Sequence, residues 1–139
     1  MSLYTKALIL ATRAHAGQKR LNGNNYIIHP IRVSQEVSTE RQKVIALLHD
    51  VVEDTEIPLE EIQKEFGDEV AVAIDCLTRR EGEENEKEDY DDYIKRVLTN
   101  KDAIAVKIAD IADNLSDSPS SNAIEKSSRS ITKLVAARE

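Results

Sequence analysis

Cysteine is almost absent from this sequence: Cys76 is the only one in 139 residues. That excludes an internal disulfide and a cysteine-based metal cluster, and a lone thiol suits a reducing compartment, so the cytoplasm is the expected location. Long apolar runs are missing too. Nothing approaches the roughly 20 residues a membrane helix needs, and the opening residues Met1-Ser2-Leu3-Tyr4-Thr5-Lys6 have no signal-peptide character. No membrane partner is expected. Positive charge is in deficit, with 19 Lys and Arg against 26 Asp and Glu, a net of -7. This argues against general nucleic-acid binding, because the phosphate backbone is held by concentrated Lys and Arg. The deficit is local: residues 81–92 (EGEENEKEDYDD) carry eight acids and one Lys, leaving 18 acids and 18 bases elsewhere. The stretch lacks the spaced oxygen ligands and turn glycine of a calcium loop and reads as a solvated loop.

What is present is enough apolar material, 40% of the residues, to collapse into one core in a chain of single-domain length. Alternating strand patterns do not compete, because the β-branched residues recur at helical intervals. The fold class is all-α, a compact bundle. Leu3, Ala7, Leu8, Ala11 and Ala14 predict a first helix over 3–16, ended by Gly17. A loop follows over 18–28, and Pro30 opens a short helix to about Val37. Thr39 with Gln42 fits a capping box for a helix over 40–54. Pro58 starts the next, Gly67 stops it, and Asp68 is the expected N-cap of a helix to about Leu77. Tyr90, Tyr93, Ile94 and Val97 mark another, and Asp102 is expected to cap a helix over 103–116. After a break at Pro119 and its flanking serines, a weaker helix covers about 120–138. These helices read as a single domain over 1–139.

Chemistry concentrates in VIALLHDVVEDT, residues 44–55. At about 100° per residue, Val44, Ile45, Leu47, Leu48, Val51 and Val52 share one side. His49, Asp50, Glu53 and Asp54 fill an arc of about 140° on the other. An imidazole with three carboxylates suits a borderline divalent metal, although a solvated acidic helix end would look the same. In AVKIADIADNLSD, residues 105–117, Lys107, Asp110 and Asn114 form one stripe. Asp110 sits among Ile108, Ala109, Ile111 and Ala112, so if buried it must bind a cation or pair with Lys107. His29, in YIIHP, stands at a loop-to-helix junction and could reach a metal or simply hydrogen-bond, and His15 has the same ambiguity.

Six blocks in order, HAGQKR (15–20), YIIHPIRV (26–33), ALLHDVVEDT (46–55), FGDEV (66–70), LT (77–78) and KIADIADNL (107–115), make the sequence resemble the HD-domain metal-dependent phosphohydrolases. The similarity is to the hydrolase domain of RelA/SpoT-like proteins and the small alarmone hydrolases. The resemblance implies that His29, His49, Asp50 and Asp110 bind one divalent ion, usually manganese, and that Glu53 and Asp54 are the catalytic acids. It places Arg20 in a substrate-facing loop, Lys107 and Asn114 near metal and nucleotide, and His15 in support. The implied reaction hydrolyses the 3′-diphosphate of ppGpp to GDP and pyrophosphate, without the synthetase and regulatory regions of the long bifunctional proteins.

Leu21, Asn25, Ile111 and Asp113 depart from the family pattern and leave the expected pocket less basic. An HD phosphohydrolase acting on another nucleotide or phosphoester therefore stands as the alternative, with a non-catalytic nucleotide-binding module third. The expected partner is a small phosphorylated nucleotide. The amphipathic helices at 89–99 and at the C-terminal end could support a homodimer.

Overall fold

The structure, a computed structural model, describes residues 1–117 and 119–139. Among these residues it contains nine helices and no strand. They are α1 (Leu3–Ala14), α2 (Ile28–Gln35), α3 (Glu40–Leu48), α4 (Val51–Asp54), α5 (Leu59–Phe66), α6 (Asp68–Leu77), α7 (Tyr90–Val97), α8 (Lys101–Leu115) and α9 (Ser121–Arg138). Two isolated bridges, Lys19 with Asn25 and Glu81 with Lys87, pinch the two longer loops. Ser118, one of the serines at the Pro119 break, lies outside the described residues.

Helix α3 is the hub. Val44, Ile45, Ala46, Leu47 and Leu48 are all at most 1% exposed, and a helix apolar on every side must be enclosed. It packs against α1, α2, α6 and α8, while α9 lies on α8. Local signals set the helix ends. Ser2 accepts from the Thr5 amide at 3.1 Å, Thr39 from the Gln42 amide at 3.0 Å, and Gly67 turns the chain between α5 and α6 at φ +93°.

Four expectations change. The helix expected over 40–54 divides at His49 and Asp50: the His49 ring Nδ1 binds the Ala46 carbonyl at 2.6 Å, competing for the acceptor that would continue the helix. The capping box is displaced, since Gln42 reaches back to the Ser38 amide at 3.2 Å rather than to Thr39. Asp68 is the first residue of α6, with Gly67 at the N-cap. Asp102 lies inside α8, where it accepts from Arg41 at 2.7 Å; Asn100 caps that helix by accepting from the Ala103 amide at 2.9 Å.

The acidic loop is exposed from Glu81 to Lys87 but ends in a built contact. Glu88 pairs with Arg96 at 2.7 Å, and that pairing holds its carboxyl below the ordinary range. This tie carries the chain from α6 back to α7 beside the site.

Candidate metal centre

Three separate stretches deliver the site. The loop after α1 sets His29 in the first turn of α2, the corner between α3 and α4 presents His49 and Asp50, and α8 brings Asp110 from across the bundle. His29 and His49 are 1% and 2% exposed and Asp110 4%. Their donor atoms converge. His29 Nε2 lies 2.8 Å from Asp110 Oδ1 and 3.6 Å from Asp50 Oδ2, and His49 Nε2 lies 3.1 Å from each of those oxygens.

One atom from each of the four residues falls within 4.8 Å of the others. Two imidazole nitrogens and two carboxylate oxygens form the donor set of a borderline divalent cation. The ring orientations suit the purpose. His49 donates Nδ1–H to the Ala46 carbonyl at 2.6 Å, and His29 Nδ1 meets Asp113 Oδ2 at 2.7 Å, so each Nε2 is turned inward.

The electrostatics are those of a cation site. Burial opposes a charged His49, but Asp50 and Asp110 outweigh it and hold its pKa well above the ordinary imidazole value. Burial raises Asp50, yet His49 and His29 overcome both that and the repulsion from Asp110, and the carboxyl falls to about 2. Asp110 is likewise desolvated but driven well below the usual range by Lys107 and the histidines. The Lys107 pair expected for a buried Asp110 forms, at 2.8 Å, and so does the histidine cluster. The carboxylates of buried Asp110 and half-buried Asp50 therefore persist as anions because cations surround them.

Glu53 and Asp54 flank the centre. Their carboxylates and that of Asp50 form a second group within 4.8 Å, and the Arg79 amide donates to Glu53 Oε1 at 2.6 Å. Burial, assisted by Asp50, raises both pKa values, the Arg79 amide opposing this at Glu53. A cavity of about 140 Å³ opens here, lined by His49, Asp50, Glu53 and Asp110 together with Arg79, Lys87 and Lys107. Tyr90, Tyr93 and Leu77 complete it. Asn114 donates to Asp110 Oδ1 at 3.2 Å.

Arg20 stands elsewhere. It is 8% exposed, pairs with Asp113 at 3.0 Å and Asp117 at 3.2 Å, and does not line the cavity. Two supports of the centre, Tyr26 and Asp113, drew attention in the sequence without being assigned to it. Tyr26 donates its hydroxyl to Asp50 Oδ2, and burial, with Asp50 beside it, raises the phenol's pKa. Asp113 buttresses His29. The signals were spacing alone: Tyr26 lies three residues before His29, and Asp113 three after Asp110. His15 supports Tyr26, with ring centroids 4.8 Å apart, and binds Gln18 at 2.9 Å.

The fold and centre define a class, an all-helical domain that gathers two histidines and two aspartates from distant stretches around one point. The family model described as HD domain matches residues 7–138, and the chain belongs to that family. A guanosine-3′,5′-bis(diphosphate) 3′-pyrophosphohydrolase of Aquifex aeolicus is 34% identical over 117 residues, covering 79% of this chain and 17% of that protein. A GTP pyrophosphokinase of Streptomyces coelicolor is 34% identical over 118 residues, covering 79% and 14%. The chain thus spans about one sixth of the length of these curated relatives. A solved structure described as a metazoan ortholog of SpoT that hydrolyzes ppGpp superposes with a TM-score of 0.79 at 26% identity, covering 100% of this chain and 86% of that one.

Proposed function

We propose that this chain is a phosphohydrolase that cleaves the 3′-diphosphate of ppGpp, giving GDP and pyrophosphate, with manganese held by His29, His49, Asp50 and Asp110. The observation that carries the reading is the convergence of those four donors beside Glu53 and Asp54, at a small cavity that Arg79, Lys87 and Lys107 also line. Anions of high charge need such cationic groups, all the more in a protein of net charge -7.

The reaction joins a water oxygen to the phosphorus next to the ribose 3′ oxygen; the P–O3′ bond breaks and O3′ leaves with a proton. When bound, a divalent ion supplies Lewis acidity, easing deprotonation of the water and offsetting charge on the phosphoryl oxygens. Glu53 takes the water's proton. The Arg79 amide fixes its carboxylate, and a raised pKa makes that carboxylate a better base near neutrality. Asp54 is the second acid of the pair. Lys107, lining the cavity with two ammonium donors left after Asp110, contacts the substrate, while Asn114, bonded to Asp110 and outside the cavity lining, acts through that carboxylate.

The test is pyrophosphate release from ppGpp by the purified, manganese-loaded protein, with Glu53→Ala alongside. Wild type should release it, while Glu53→Ala should bind manganese normally and lose about 10²- to 10⁴-fold in turnover. Asp50→Ala should lose the metal. Full activity in Glu53→Ala would falsify its assignment as base. Leu21, 86% exposed, and the engagement of Arg20 by carboxylates favour one second reading, a different nucleotide or phosphoester. A metal-loaded wild type that spares ppGpp and cleaves another phosphoester would establish it.

A further inference from the structure

Behind His29 lies a buried polar cluster that the proposed chemistry does not use. Asp113, on α8 and 8% exposed, is its centre. Its Oδ2 meets His29 Nδ1 at 2.7 Å and Arg20 Nη1 at 3.0 Å, and its Oδ1 meets Arg32 Nε at 2.7 Å. Arg20 continues to Asp117 Oδ2 at 3.2 Å through Nε and to the Asp113 carbonyl at 3.5 Å through Nη2.

Two guanidiniums face two carboxylates, so the cluster is electrically closed, and Arg20 has no uncompensated charge to offer a phosphate. Its position explains its chemistry. Arginine is the side chain that can hold two carboxylates at fixed angles with one planar fork.

Resting on the metal-centre reading above, we infer that Arg20 and Asp113 form a positioning relay for the metal ligand His29, and that Arg20 is not a substrate ligand. Asp113 accepts the Nδ1 proton of His29 and thereby keeps Nε2 free and turned toward Asp50 and Asp110. Arg20 and Arg32 fix the Asp113 carboxylate and neutralise it where burial would otherwise make it costly. The other histidine needs no such device, because His49 Nδ1 is held by the Ala46 carbonyl at 2.6 Å, and no substitution removes a backbone oxygen. Of the two histidine ligands, only His29 is set by replaceable side chains. Arg20 also stitches the 18–28 loop to the end of α8, so the same pairs fix the backbone that carries His29.

The experiment measures manganese affinity by competition with a chelating dye for wild type, Asp113→Asn, Arg20→Ala and Arg20→Lys, with urea unfolding run on each. Asp113→Asn and Arg20→Ala should each lose about 10- to 100-fold in affinity, and at saturating manganese Arg20→Ala should keep its KM for ppGpp. Wild-type manganese affinity in folded Arg20→Ala, with a raised KM, would make Arg20 a substrate ligand and overturn the inference. A second reading needs no variant: ¹⁵N spectra of the zinc-loaded wild type should show His29 protonated at Nδ1 and ligated through Nε2, and the opposite arrangement overturns the relay. A wild type that binds neither metal removes the metal centre itself, a failure distinct from one confined to the Arg20 and Asp113 variants.

Discussion

At the scale of single residues, the centre is a set of ionisations that support one another, and pH is the handle on it. His49 is held above the ordinary imidazole value of 6.5 in the folded chain. Its proton therefore contributes stability that is complete below 6.5 and declines as pH rises toward the elevated folded value. Asp50 has the opposite sign: lowered to about 2, it contributes stability that is present above 3.8 and lost as pH falls toward the lower figure. Glu53 and Asp54, raised by burial, add to the decline above the ordinary carboxylate range. Urea midpoints of the chelator-treated protein should accordingly peak in mildly acidic solution and fall from pH 6.5 to 9, and a midpoint flat over that range would contradict the His49 assignment. On the proposed function a metal would take the place of the proton on His49, so manganese affinity should rise over the same interval.

At the scale of elements, the local grammar was readable where a single residue decides. Gly17 and Gly67 adopt positive φ at the helix ends where they were expected, and Thr39 and Pro58 stand at helix starts. Gly67→Ala isolates one such effect. No atom lies within 4 Å of the added Cβ, so the loss, about 1–3 kcal/mol in chemical denaturation, reports only the backbone at φ +93° and ψ 171°, a conformation essentially reserved for glycine. No change in midpoint would mean that the turn relaxes freely. The sequence failed where two capping candidates stood close together. Asp102 and Asn100 are both good caps, and the choice fell to Asn100 because Arg41, delivered by α3, engages Asp102. The break at His49 was hidden for a related reason, since periodicity continues through residues 50–54 while a side-chain hydrogen bond to Ala46 interrupts the backbone ladder.

At the scale of the molecule, stability and metal binding share one structure. The loop before α2, the α3–α4 corner and α8 must be docked before four donors can meet, so an ion that binds only the folded chain should stabilise it. Manganese at 100 times its Kd should add about 2.7 kcal/mol to unfolding, and chelation should remove it. Thermal melts with and without chelator check this, and equal melting temperatures would exclude a preformed site. Leu48→Ala, in the enclosed helix next to His49, should cost about 2–5 kcal/mol and weaken manganese binding with it. A core lesion of that size without loss of affinity would show that the centre is held independently of α3.

The sequence by itself determined the helical class, most helix ends and which ionisable residues were candidates, because periodicity, caps and residue chemistry act over a few positions. Tertiary structure alone decided how they combine. It placed His29 and Asp110, separated by 81 positions, at hydrogen-bond distance, sent Arg20 to Asp113 and Asp117, and set Tyr26 on Asp50. Such pairings depend on which helix faces are buried together, and a buried charge takes whatever partner the packing brings within reach.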